Sequence, residues 1–230
     1  MGCLEENIEN EFELILNYDN LTATIVETYD SGNLVNTEFA VLGFELNQTK
    51  SKNGIASFGF DLSQTNDLVE INNKSNSYFE LKFHHHGVYE LRPFAIDKMG
   101  NKNSIDLSVV IDLEINWFEN STSTPTPLSI DPTPADNDYR AKYMKIESSI
   151  ENPRNLTEIG GGQSVQFSWS ITDEYDDTCQ SKDGNVADGE IASWETIYFN
   201  TMLIHDLNVE YKEGQDYLDI YHKVSLFYDQ

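Results

Sequence analysis

The chain has 230 residues, 39% of them hydrophobic, with 12 Phe, 12 Tyr and 3 Trp. That is too apolar for disorder throughout and enough for one large or two small domains. Forty Asp and Glu against 14 Lys and Arg leave a net charge of −26, which repels phosphate backbones and anionic head groups and argues against nucleic acid as a partner. No apolar run approaches the ~18 residues needed to cross a bilayer, so membrane contact is expected only through a lipid.

Residues 1–10 are read as an N-terminal tether. Met1-Gly2-Cys3 is followed by the acidic Glu5-Glu6, and a Gly-Cys pair before a polar run resembles the cleavage junction of prokaryotic lipoproteins. That resemblance implies Cys3 as the lipid anchor and an address outside the cytoplasm. An incidental cysteine stays open, as does a doubly acylated eukaryotic start, although Glu6 stands where that pattern wants Ser or Thr. With only Cys3 and Cys179 in the chain, a disulfide framework is excluded.

Residues 11–116 show an apolar period of two, the spacing of half-buried strands. Phe79, Leu81 and Phe83 alternate with Glu80, Lys82 and His84. Farther on, Ile105, Leu107, Val109, Ile111, Leu113 and Ile115 make one inward row. His84-His85-His86 ends the first of these strands, where alternation allows at most His84 and His86 to share a face, with Glu80 beside them. The expected reading is a solvated strand end. A glycine two residues ahead of a tyrosine, as in Gly87-Val88-Tyr89, predicts a tyrosine corner, in which the phenol bonds upstream backbone.

The run from Gly87 through Ala95-Ile96-Asp97 to Gly100-Asn101 resembles the last hairpin of polycystic-kidney-disease-type and related immunoglobulin-like domains, over residues 83–113. The resemblance implies an extracellular spacer or adhesion module without catalysis. Pro93 departs from the pattern, since a proline fits a strand only where no ladder donor is needed.

Four of the six prolines, Pro125, Pro127, Pro132 and Pro134, fall within 117–139 among Ser and Thr, and this stretch is expected to be a linker. The predicted fold is therefore all-β, two tandem immunoglobulin-like antiparallel sandwiches, with the second over 140–230. There Val165, Phe167 and Trp169 form an inward set after the turn Gly160-Gly161-Gly162. Leu203 to Tyr211 and Leu218 to Tyr228 are expected to pair as a hairpin about Gly214, with Tyr211 opposite Asp216. That register sets His205 against His222, a two-imidazole candidate for a metal; core histidines without metal are the other reading.

The acids Asp173, Glu174, Asp176, Asp177, Asp183, Asp188 and Glu190, with Asn185, lie within eighteen residues. Calcium takes six to eight oxygens from a flexible loop, and Asp183-Gly184-Asn185-Val186-Ala187-Asp188 is similar to the calcium loops of thrombospondin type-3 repeats. Calcium is thus the candidate cofactor, with a hydrated acidic loop as the alternative, and Cys179 is expected to be exposed within it. Sequons at Asn20, Asn47, Asn73, Asn120 and Asn155 mark candidate glycosylation sites.

The sequence contains no nucleophile elbow, phosphate-cradling glycine loop, His-Glu-x-x-His helix or dinucleotide fingerprint. The expected function is non-catalytic: adhesion, spacing or assembly at a cell surface, with other surface proteins or glycans as partners. The low arginine content and uniform acidity are similar to envelope proteins of marine planktonic microbes. The alternative is a calcium-stabilised carbohydrate-binding module with Trp117 and Trp194 stacking on sugar rings. A small hydrolase with scattered carboxylates is the third.

Overall fold

The computed structural model describes residues 12–62, 67–71, 77–134, 139–154, 162–214 and 217–229. The expected tether with Cys3, the sequons at Asn73 and Asn155, and the Gly160-Gly161 turn lie outside them.

Every regular element among the described residues is a strand. The N-terminal half contributes β1 (Phe12–Glu13), β2 (Asn17–Tyr18), β3 (Thr22–Asp30), β4 (Asn33–Glu38), β5 (Ala40–Glu45), β6 (Lys50–Ser51), β7 (Ile55–Leu62), β8 (Asp67–Ile71), β9 (Tyr78–Phe83), β10 (Gly87–Asp97) and β11 (Lys102–Ser104). After β12 (Leu107–Thr122) and β13 (Leu128–Ile130) come β14 (Tyr143–Glu151), β15 (Val165–Asp173), β16 (Thr178–Val186), β17 (Ile191–Tyr198), β18 (His205–Glu213) and β19 (Leu218–Phe227). The alternation read from sequence holds in β9 and β15, whereas Ile105, expected inward, lies exposed ahead of β12, and Val110, expected outward, is buried. Phe79, Leu81 and Phe83 are buried between exposed neighbours in β9, and Val165, Phe167 and Trp169 are buried in β15.

Ten strands form one large sheet, in the order β17-β14-β19-β12-β10-β7-β8, with β11 on β10, β3 on β12 and β4 on β3. Its organising element is β12, sixteen residues long. One edge of β12 pairs with β10 along Leu107–Ile111 and then with β19 along Leu113–Thr122. The other edge carries β3 in parallel from Val110 to Phe118.

Two smaller sheets cover this large one. The sheet β2-β5-β9 packs over β7, with Phe60 5.1 Å from Phe44 and 5.0 Å from Phe79 between ring centres. The sheet β13-β18-β15-β16 packs over β14 and β17. Trp169 lies 6.0 Å from the Trp194 ring, and its Nε1–H donates to Ser148 Oγ at 2.7 Å. Among the described residues, the buried apolar side chains other than Phe94 join in one cluster that runs from Ile25 to Tyr228.

The boundary expected at residue 116 falls inside β12. Residues 117–122 continue the strand, and Leu128 and Ile130 are buried where β13 pairs with β18. Prolines here break ladders without loosening the chain: Pro132 and Pro134 are themselves buried.

The hairpin expected between β18 and β19 does not form. β18 pairs with β13 and β15 in the small sheet, whereas β19 pairs with β12 and β14 in the large one. Just past β18, Gly214 lies so close to Ser164 that a Cβ on it would sit 2.1 Å from the Ser164 carbonyl oxygen. Both strands have an apolar inward row, and alternation reveals which face is buried, not which neighbour shares an edge.

Pro93 sits in the middle of β10, opposite Phe60 of β7. Its carbonyl accepts from Ile105 N at 3.2 Å. Because the N and O of one extended residue point to the same edge, the missing donor faces the gap where β11 has ended and β12 has not begun. At the far end of β10, Asp97 is buried and accepts from Asn53 Nδ2 at 2.7 Å, Asn101 Nδ2 at 2.9 Å and the backbone N–H groups of Met99 and Asn101 at 2.9 Å each. These donors, Asn53 foremost, hold its carboxyl well below the usual carboxylate range.

Candidate functional site

The two small sheets leave a gap above the large one. Its floor is the parallel pair β3 and β12, whose registered partners Ile25–Leu113 and Glu27–Ile115 lie side by side. One wall is His84, His85 and His86, in the turn from β9 to β10. The other is Ser129, Asp131 and Thr133, on β13 and the residues after it. The resulting cleft has a volume of about 270 Å³.

The floor is apolar at Ile25, Leu113 and Ile115, all buried, and becomes polar at Glu27 and Tyr29. The Tyr29 ring stacks on Trp117 at 5.8 Å and 27°, and its hydroxyl donates to Glu27 Oε2 at 2.9 Å. Burial, followed by the neighbouring Glu27 carboxylate, pushes the Tyr29 phenol up to about 12, so it stays a donor.

On the histidine wall, His84 packs against the Phe39 ring at 4.5 Å. The carbonyl of His85 accepts from Tyr89 Oη at 2.8 Å, which is the bond expected of a tyrosine corner and fixes this turn to β10. His86 shares a 2.6 Å hydrogen bond between its Nδ1 and Tyr228 Oη, tying the turn to the chain beyond β19. Burial lowers His86 to about 4 despite the opposing pull of Asp131, so it is neutral at pH 7. On the opposite wall, Asp131 Oδ1 accepts from Thr133 N at 2.9 Å.

The residues singled out from sequence fall elsewhere. Trp117 and Trp194 are 3% and 9% exposed, so neither offers a face to a sugar. Trp117 extends the inward row that runs to Ile115, and Trp194 is the buried residue of β17. His205 and His222 sit on different sheets, both buried. His222 shares a 2.8 Å bond with Ser148 Oγ, and His205 meets the Tyr198 ring edge-on at 4.9 Å.

The acidic run is a hairpin rather than a loop. Asp173 turns it, accepting from Tyr175 N and Asp177 N at 3.0 Å each, with Asp176 at positive φ. Asp183 and Asn185 lie on β16 itself, and Asp183 pairs with Lys212 at 2.7 Å. Asp188 and Glu190 belong to the next turn, at the other end of a nine-residue strand. Nine extended residues cover about 30 Å, too far for the two turns to share an ion. Among the described residues, no three His, Cys, Asp or Glu side chains converge as a metal site. Cys179 is half-buried on β16, its Sγ 3.5 Å from the Asp177 carbonyl. Asn20, Asn47 and Asn120 are exposed.

Sequence reading found the histidine run but not its partners. Glu27, Tyr29 and Asp131 arrive from segments far away in the chain, and only the third of the three histidines carried a local signal, its place ahead of Gly87.

No protein-family model matches the chain, and no curated protein does. Among solved structures, a carbohydrate-binding module of the β-sandwich superfamily aligns over 93% of this chain and 96% of its own, at 9% identity and a TM-score of 0.35. The fibronectin(III)-like modules of Clostridium thermocellum CbhA align over 85% and 91%, at 11% and 0.29. SGBP-B of the Bacteroides ovatus mixed-linkage glucan utilization locus aligns over 88% of this chain and 51% of its own, at 11% and 0.26. Scores this low do not establish a shared topology.

Proposed function

We propose that the chain is a non-catalytic β-sandwich module of immunoglobulin-like character that works outside the cytoplasm, as a stiff spacer, adhesion or assembly element at a cell surface. The observation that supports this most is β12. The sixteen-residue strand is extended up to a bulge near Ser121 and spans roughly 45–50 Å, and its middle is hydrogen-bonded along both edges. It joins the part of the large sheet that holds β10 and β7 to the part that holds β19 and β14, so the strands under the two small sheets belong to one ladder. Stiffness suits a part that holds a distance or presents a surface.

The dense negative charge fits the same setting, because it keeps such a surface hydrated and resists unspecific association. A lipid on Cys3 and sugars on Asn20, Asn47, Asn73, Asn120 and Asn155 are the modifications this reading implies. The resemblance to polycystic-kidney-disease-type domains belongs to it as well, supported by the Tyr89–His85 bond and the Asp97-centred turn.

Calorimetry and small-angle scattering on the full chain test the reading. One cooperative unfolding transition and one rigid particle are expected. Two separate transitions, or scattering that requires a hinge near residue 116, would overturn it.

A further inference from the structure

The cleft over β3 and β12 has the chemistry of a ligand site, and that chemistry restricts the ligand. We infer that it takes a neutral saccharide, one or two sugar rings at the end of a glycan. The inference goes beyond the spacer reading, and either can fail without the other.

The lining has three parts. Ile25, Leu113 and Ile115 are buried beneath the cleft, and the half-buried Tyr29 ring offers it apolar surface. His85 and Asp131, both exposed, stand on opposite walls. No Lys or Arg is among the lining residues.

An anionic ligand meets the carboxylates of Glu27 and Asp131 with no cation to offset them, inside a protein of charge −26. A purely apolar ligand would strip water from imidazoles, carboxylates and hydroxyls and give nothing back. A sugar ring meets both demands at once. Its C–H face covers the Tyr29 ring, and its hydroxyls reach the walls, where imidazole, carboxylate and hydroxyl groups accept or donate as required. About 270 Å³ is near the lower end of the size range of small-molecule sites, which matches a chain end more than a long glycan. Because the walls come from different small sheets on one rigid floor, the site is built before the ligand arrives.

Calorimetric titration of the full chain with cellobiose, laminaribiose, maltose and lactose tests this, with digalacturonate and choline as charged probes. At least one neutral disaccharide is expected to bind with a dissociation constant in the millimolar range or tighter, and digalacturonate not at all. The double variant His85→Ala/Asp131→Ala, which changes only exposed side chains, is expected to keep the wild-type melting temperature and to weaken binding by about tenfold or more. Silence from all four neutral sugars, preference for choline or digalacturonate, or undiminished binding by the folded double variant would each overturn the assignment.

Discussion

Two stretches of the large sheet present the same inward alternation and meet different fates. Over β14, β17 and β19 the second layer closes down, and Trp169, Ser148 and His222 lock it with a buried hydrogen-bond chain. Over β3 and the middle of β12 the second layer parts, and Ile25, Leu113 and Ile115 become a floor beneath polar walls. Part of the difference lies in the strands, since the inward row of β3 turns polar at Glu27 and Tyr29 while that of β14 stays buried. The rest lies in where the covering sheets end, since β9 runs out at Phe83 and β13 is a three-residue edge. A dry junction and a wet cleft can thus share one sheet a few residues apart.

That contrast can be tested by mutation. The largest effect is expected at the closed junction. Trp169→Ala removes the ring that touches Phe167, Trp194 and Ser148, and should cost roughly 3–5 kcal/mol in urea unfolding. A loss under 1 kcal/mol would mean the layers are not locked there.

Acid comes next. Burial holds His222 at about 3 in the folded chain against 6.5 unfolded. As pH falls below about 6.5 the unfolded chain takes the proton and the folded one does not. The stability contribution is therefore complete above that value and is lost progressively down to about 3. At 1.4 kcal/mol per pH unit, about 3 kcal/mol should be gone by pH 4. His222→Gln should flatten the urea-measured slope across this window, and an unchanged slope would assign the acid loss elsewhere. The Asp97 carboxyl acts in a lower window: its depressed value adds stability above the ordinary carboxylate range and gives it up only as pH drops through that range.

Gly184→Ala is a smaller change at the same junction. The added methyl would lie 2.3 and 2.4 Å from two ring carbons of Phe167 and 3.0 Å from Trp169, so the rings must shift, at a cost of about 1–3 kcal/mol. Chemical shifts of the Trp169 indole N–H report whether they do.

The open side should barely respond. Asp131→Ala and His85→Ala each remove exposed groups and are expected to change stability by no more than about 0.5 kcal/mol. A large loss in thermal melts would show that the cleft walls hold the fold rather than a ligand.

The sequence carried the strands because burial on one face forces an alternation that local reading detects. It placed Phe79 to Phe83 and Val165 to Trp169 inward, and the Tyr89 corner, which depends only on residues four apart, could be read before any coordinates. Trp117 was misplaced because the inward row that runs to Ile115 extends to it, and Trp194 because it is the buried residue of β17.

Edge partnership and layer coverage were settled only in three dimensions. His205 and His222 fit one hairpin register, yet their strands lie in different sheets. A hydrogen-bonding edge looks the same in sequence whichever strand occupies it. The cleft was illegible for a related reason. Glu27, His85 and Asp131 are brought together by the spacing of two covering sheets, and that spacing depends on how the whole core packs, not on any single segment.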